Sequence, residues 1–256
     1  MVAGSAITFF VSYPLNCENN AWICYNIINR EGNMLTASQR NSWLKKRKKG
    51  IGGSELAAII GLSPFSGPID IWQNKLGLGE KFTPTEQMRW GNLLETSIAK
   101  EWNKRHGNYL MIPGKLIVHP DESWMRGTPD FLLFKGDSVH LGPVSVLEIK
   151  NTSVFAKGYW GTDEDPKVPV NYVIQGQWYL HLTGLDTIHY GVLCGGNELI
   201  SRTLQRDDEL INELMHRGRE FWELIEAGIK PNELETEEID GKVVNIVPPG
   251  PWDKYC

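Results

Sequence analysis

No segment of the chain is apolar for long enough to cross a bilayer. The longest apolar stretch near the start runs from Ala6 to Val11, and no Lys or Arg precedes it as a secretory leader needs. A soluble, intracellular protein without membrane contact is therefore expected. The four cysteines, Cys17, Cys24, Cys194 and Cys256, include no CxxC pair, which argues against a zinc cage, an iron–sulfur cluster and a disulfide framework. Reduced, mostly buried thiols are expected. His106, His119, His140, His181, His189 and His216 lack metal-ligand spacing and read as structural or surface residues. The glycine turn from Gly50 to Gly53 lacks the lysine–threonine ending of a nucleotide-binding loop, so no use of ATP is expected. Internal repeats and low-complexity tracts are missing, as is any Ser-His-Asp arrangement legible in the sequence.

What is present describes a globular protein. With 256 residues, 41% of them hydrophobic, and ten tryptophans, the chain can bury a core, and its length suits one generous domain. The net charge of −5 speaks to solubility, whereas phosphate binding depends on local patches. Lys45, Lys46, Arg47, Lys48 and Lys49 form one dense basic run, while Glu233, Glu235, Glu237, Glu238 and Asp240 load the C-terminal region with acid.

Residues 1–34 show weak periodicity and read as an N-terminal extension. A helix is expected from Thr36 or Ser38 to Lys48, stopped by Gly50, Gly52 and Gly53. Ser54 opens a short helix to Ile60, a turn over Pro64–Gly67 leads to another at Ile69–Leu76, and a longer one lies between Thr85 and His106, with Met88, Leu94, Ile98 and Trp102 at three- and four-residue steps. The period then changes. Tyr109–Val118, Gly127–Phe134 and Val144–Lys150 read as strands, the last two an antiparallel pair joined through Lys135-Gly136-Asp137. A helix over Val170–Leu182 follows, then strands at Thr187–Leu193 and Glu198–Leu204. Asp207 caps a helix to about Ala227, before a Pro-rich tail with Trp252 and Tyr255. The order predicts an α/β domain with a mixed sheet in the middle of the chain.

The chemistry is concentrated in Gly127-Thr-Pro-Asp130, followed by Glu148-Ile149-Lys150. Side chains alternate along a strand, so Glu148 and Lys150 share one face while Ile149 points to the other. If the two strands pair, Asp130 approaches Glu148, and two converging carboxylates make a hard-oxygen site suited to Mg²⁺ or Mn²⁺. Such an ion can polarise a phosphodiester and acidify bound water, and a second ion can stabilise the leaving oxygen. Lys150 beside them can orient the nucleophile or offset charge developing on phosphorus. An isolated Glu-x-Lys is ordinarily a surface ion pair. Here Leu147 and Ile149 mark the strand as buried, and a charged pair on a buried strand needs a partner.

Pro129-Asp130 with Glu148-Ile149-Lys150 resembles the PD-(D/E)xK nuclease signature, and the wider sequence resembles the YqaJ-type viral recombinases related to phage lambda exonuclease. The supporting matches are Gly50-Ile-Gly-Gly-Ser54-Glu-Leu-Ala-Ala-Ile-Ile-Gly61-Leu-Ser, Trp90-Gly-Asn-Leu-Leu-Glu95, Gly127-Thr-Pro-Asp130 and Gln175-Gly-Gln-Trp-Tyr179-Leu, covering roughly residues 43–195. The resemblance implies a restriction-endonuclease-like core, a central mixed β-sheet flanked by helices, over residues 35–230, with 231–256 as a C-terminal tail. It implies that Asp130, Glu148 and the main-chain carbonyl of Ile149 bind Mg²⁺, with Mn²⁺ as substitute and two ions in all. Lys150 helps to activate water, Glu95 adds to the acidic cluster, and Gln175 lines the site. Gln175 and Tyr179 stand one helical turn apart and face the same way, and Tyr179 is expected, with Arg47 and Ser54, to contact DNA phosphate. Ser54 at a helix start suits an anionic phosphate, and Arg47 falls where the resemblance places the residue that holds a terminal 5′-phosphate.

The function so implied is 5′ to 3′ digestion of double-stranded DNA ends, leaving 3′ single strands for a single-strand annealing protein. A ring-like homo-oligomer, a trimer by resemblance, and the host cytoplasm of a phage-encoded protein go with it. Three rivals use the same residues: a structure-specific or restriction-like endonuclease, a DNA-end-binding recombination protein without catalysis, and a carboxylate metal site for small phosphoesters. The last gives no reason for the basic run.

Overall fold

The computed structural model describes residues 42, 45–79, 83–136, 139–239 and 242–256. The extension expected over 1–34, Cys17, Cys24 and residues 36–41 and 43–44 of the helix expected to run to Lys48 lie outside them; Lys45–Arg47 are helical. The first complete helices are α1 (Gly53–Ile60), α2 (Pro68–Leu76) and α3 (Glu86–His106). Strands β1 (Leu110–Pro113), β2 (Ile117–Val118), β3 (Arg126–Gly127), β4 (Phe131–Phe134) and β5 (Ser145–Thr152) follow. A 3₁₀ segment (Val154–Trp160), α4 (Val170–Thr183), β6 (Thr187–Cys194), β7 (Glu198–Gln205), α5 (Asp208–Ala227) and the hairpin β8 (Thr236–Ile239) and β9 (Lys242–Asn245) complete the order.

The main sheet runs β1-β4-β5-β6-β7. β4 pairs antiparallel with β5 through Phe131↔Leu147, and β5 pairs parallel with β6, placing Glu148 opposite Tyr190 and Lys150 opposite Val192. Both faces of this sheet are covered. Phe131, Leu133, Leu147 and Ile149 pack with Ile98, Ala99 and Trp102 of α3. Leu132, Phe134, Val146, Ile188 and Tyr190 point the other way, into a larger core with Val173, Ile174 and Trp178 of α4 and Leu210 and Phe221 of α5. Central strands buried on both faces read as continuous apolar runs, which explains Phe131-Leu-Leu-Phe134 and makes Glu148 stand out.

Two expected strands are broken. Tyr109–Val118 is two strands because Pro113 lacks an N–H and the chain turns at Gly114, whose N–H bonds the Asp130 carbonyl at 2.8 Å. Gly127–Phe134 divides likewise at Pro129, leaving Asp130 just before β4. The link between β4 and β5 is longer than Lys135-Gly136-Asp137, spanning residues 135–144 with a 3₁₀ turn at Val139–Leu141. Ser54 lies inside the first turn of α1, whose N-cap is Gly52, so it is not the helix's opening residue. The apolar spacing of α3 is realised only in its second half: Trp102 is 1% exposed but Met88 46%. The tail contains the unexpected β8–β9 hairpin and then buries Trp252 against the core. Cys194 is a buried free thiol and Cys256 an exposed one.

The turn before α1 is seated by backbone. Ile51 donates to the Trp124 carbonyl at 2.6 Å and accepts from Arg126 N at 2.9 Å. A Cβ on Gly50 would lie 2.1 Å from that Trp124 oxygen and 2.7 Å from Arg126 Nε. Gly50→Ala should therefore cost about 1–3 kcal/mol of stability, as overpacking against backbone does; urea unfolding that leaves the midpoint unmoved would refute this seating.

Candidate active site

The β4–β5 ladder ends at Phe131↔Leu147, so the next inward edge group of β5, the Ile149 N–H, has no strand partner there. The Asp130 carboxylate fills the gap, with Oδ2 accepting from Ile149 N at 2.8 Å. Glu148 answers from the other side, its Oε2 accepting from Asp130 N at 3.3 Å. The N–H and C=O of one strand residue point to the same edge, so the Ile149 carbonyl faces the Asp130 side as well. The two carboxylates thus each accept from a main-chain N–H where β4 and β5 part.

Lys150 Nζ donates to Glu148 Oε1 at 2.9 Å and to Gln175 Oε1 at 3.0 Å. Gln175 Nε2 donates to Glu148 Oε1 at 2.9 Å and to the Tyr179 hydroxyl at 3.0 Å. The amide orientation is fixed by this network, since only its oxygen can face an ammonium. Glu148 is 3% exposed, and Gln175 and Tyr179 are also buried. A carboxylate so deep requires compensation, and Lys150 and Gln175 supply part of it.

The remainder is visible in the proton affinities. Burial, then the charges of Glu148 and Glu95, holds the Asp130 carboxyl well above its ordinary range. Burial and then Glu148 also raise Glu95, which is half-buried on α3. Burial disfavours the Lys150 ammonium, but Glu148 and Asp130 outweigh it and raise its pKa. Three carboxylates against one ammonium carry a formal charge of −2 when all are ionised (−3 and +1), which one divalent cation would cancel. The donor set therefore fits such an ion: Asp130, Glu148 and the Ile149 carbonyl are hard oxygens on one side of the site. Among the described residues no group of three or more His, Cys, Asp or Glu side chains is placed to hold a metal ion by itself. Water and substrate oxygens would complete the coordination, as is usual for Mg²⁺. Glu95 belongs to the electrostatic cluster rather than to such a group.

A second, cationic cluster adjoins the first. Arg47 Nη2 donates to Ser54 Oγ at 2.9 Å. Glu55 accepts from Gly52 N at 2.7 Å and from the buried Lys75 ammonium at 2.7 Å. Arg126 Nη1 donates to the Lys46 carbonyl at 2.8 Å. Burial lowers the pKa of Lys75, and the nearby charges of Arg47 and Arg126 push the same way against Glu55. The clusters touch across α1 and α4, since a Cβ on Gly53 would lie 3.2 Å from the Gln175 carbonyl and from the Tyr179 ring. The expected residues Asp130, Glu148, Lys150, Gln175 and Tyr179 are thus in one place, and Arg47 and Ser54 adjoin them. Lys75, Arg126 and Tyr172, whose ring centre lies 4.6 Å from Lys150 Nζ, are not expected from the sequence, because no spacing or motif marks a lysine on α2, an arginine beside a glycine turn or an aromatic one turn before Gln175.

The model of the YqaJ-like viral recombinase domain matches residues 42–186. The uncharacterized protein YqaJ of Bacillus subtilis (strain 168) is 33% identical over 186 residues, which make up 72% of this chain and 55% of that protein. The chain thus spans about half the length of that relative. An alkaline exonuclease from Laribacter hongkongensis superposes with a TM-score of 0.59 at 19% identity, covering 73% of this chain and 93% of that one. A phage related exonuclease from Haemophilus somnus 129PT gives 0.52 at 16% identity, covering 70% and 96%. These likenesses bear out the expected fold, a five-stranded mixed sheet flanked by helices with the restriction-endonuclease-like core. No helix among the described residues is long and apolar enough to cross a membrane.

Proposed function

The chain belongs to the YqaJ-like viral recombinase family, and from that premise we propose that it is a Mg²⁺-dependent exonuclease that digests double-stranded DNA from its ends, 5′ to 3′. The observation that carries this reading is the convergence of Asp130, Glu148 and Lys150, with Ile149 N held at 2.8 Å by Asp130. Asp130, Glu148 and the Ile149 carbonyl would hold the metal, one or two ions, with Mn²⁺ as a substitute. When bound, the metal supplies an acidified water and a counter-charge for the phosphodiester. The Lys150 ammonium, paired with Glu148 at 2.9 Å, would donate its remaining N–H toward that water or the phosphoryl oxygens, and Gln175, bonded to both Lys150 and Glu148, braces the pair. Glu95, whose pKa is raised, can take up a proton beside them. The Arg47–Ser54 cluster, joined to this site through Tyr179, receives the 5′-phosphate of the strand being cut. The product, a 3′ single strand, would pass to an annealing protein, and a closed homo-oligomer such as a trimer would keep the duplex engaged.

Linear duplex labelled at one 5′ end should release label in Mg²⁺ and none in EDTA, while closed circular duplex stays whole. Cleavage that resists chelation would sink the metal site; nicked circles would replace the exonuclease with an endonuclease on the same core. Wild-type protein should also prefer a 5′-phosphate to a 5′-hydroxyl end, and Arg47→Ala should shrink that preference by about tenfold or more, the worth of one or two charge-assisted hydrogen bonds. An undiminished preference would remove Arg47 from this role.

A further inference from the structure

Lys150 carries its charge on a flexible four-carbon stem, and such a group acts in a transition state only if something fixes it. Two of its neighbours are oxygens, Glu148 Oε1 and Gln175 Oε1. A third is a ring: Nζ lies 4.6 Å from the centre of Tyr172, one turn before Gln175 on α4. We propose that Tyr172 is a positioning residue for Lys150, its ring face acting as a third wall that aims the ammonium at the reacting phosphate.

The ring is itself held from several directions. It stacks on Trp160 at 5.4 Å with an interplanar angle of 19°. Trp160 is buried, and its carbonyl accepts from Arg202 Nε at 2.6 Å. The Tyr190 hydroxyl donates to the Tyr172 carbonyl at 2.6 Å, pinning the start of α4 to β6. That approach needs a glycine opposite, since a Cβ on Gly176 would lie 2.3 Å from the Tyr190 oxygen. Trp160, β6 and α4 therefore all serve to place one aromatic face against one ammonium. A ring quadrupole attracts a cation without competing for its protons, so Tyr172 steadies Lys150 while leaving its N–H groups to Glu148, Gln175 and the substrate.

The kinetic arm of the test rests on the nuclease reading and the spectroscopic arm does not. In Mg²⁺, Tyr172→Leu should lower kcat by about tenfold, within the range that a partly desolvated cation–ring contact supports. KM for duplex DNA should stay within about twofold, and Tyr172→Phe, which keeps the face, should restore kcat. Introduced into Lys150→Ala, Tyr172→Leu should have no further effect. Full activity in the leucine variant, equal losses for leucine and phenylalanine, or an undiminished loss in the Lys150→Ala background would each overturn the assignment. By NMR of lysine-labelled wild-type protein, the Lys150 ε-methylene protons, identified by their loss in Lys150→Arg, should lie upfield from ring current. They should stay there in Tyr172→Phe and return in Tyr172→Leu. Ordinary lysine shifts in the wild type would overturn the proposal even if the leucine variant failed to fold. Upfield shifts in a protein with no metal-dependent cleavage would instead retain the contact and refute the nuclease reading.

Discussion

Lys150→Ala is expected to lower kcat for duplex digestion by about 10³-fold while DNA affinity and KM change little, the pattern of an interaction made mainly in the transition state. The ammonium sits within 2.9 Å of Glu148 and 3.0 Å of Gln175, so it is aimed by groups that do not contact a distant stretch of DNA. Its removal has a second consequence. Glu148 would be left buried without its cation, and breaking such a pair ordinarily costs about 3–5 kcal/mol. The variant should therefore be markedly less stable than wild type in EDTA, with much of the difference recovered in Mg²⁺, where a bound cation meets the same carboxylate. Circular dichroism melts in the two conditions, run beside initial rates at saturating DNA, separate the effects. A rate within tenfold of wild type in Mg²⁺ would show that Lys150 is only the structural partner of Glu148.

The site was legible in the sequence where strand periodicity and chain breaks act together. Leu147 and Ile149 mark β5 as buried, and the period of two then forces Glu148 and Lys150 onto one face, where α4 brings Gln175 and Tyr179. Pro129 ends one run of pairing, and that is what frees Asp130 to reach across to Ile149. The unread parts depend on contacts between segments distant in sequence. Tyr172 looks like any helical aromatic until Trp160 and Lys150 are folded against it, and Lys75 gains its meaning only through Glu55, twenty residues earlier. The β8–β9 hairpin was missed for a local reason. Its first strand is Thr236-Glu-Glu-Ile239, in which adjacent glutamates mask the alternation that signals a strand. Ser54 shows the reverse error, a good capping residue displaced because Gly52 and the Glu55 carboxylate already close the helix end.

Asp130→Asn should abolish metal-dependent cleavage and yet stabilise the metal-free protein. The Asp130 carboxyl is held well above its ordinary pKa by burial first and by the Glu148 and Glu95 charges next. A group whose pKa is higher in the folded chain stabilises it fully below the unfolded value, about 4 for a carboxyl, and loses that contribution as pH rises through the folded value. Glu95, raised for similar reasons, acts with the same sign. Wild-type protein in EDTA should thus lose stability from about pH 4 upward as these protons leave. Asparagine cannot ionise, and its side-chain oxygen can still accept from Ile149 N, the bond that aspartate makes at 2.8 Å. In EDTA at pH 8 the variant should melt about 3–6 °C above wild type, the shift expected for 1–2 kcal/mol in a chain of this size. Mg²⁺ should raise the wild-type melting temperature and leave that of the variant nearly unchanged, because a neutral amide is a poor partner for a hard cation. A wild-type protein that melts above Asp130→Asn in EDTA at pH 8 would mean that the carboxylates do not repel one another, and with that repulsion would go the electrostatic reason for a divalent ion at this place.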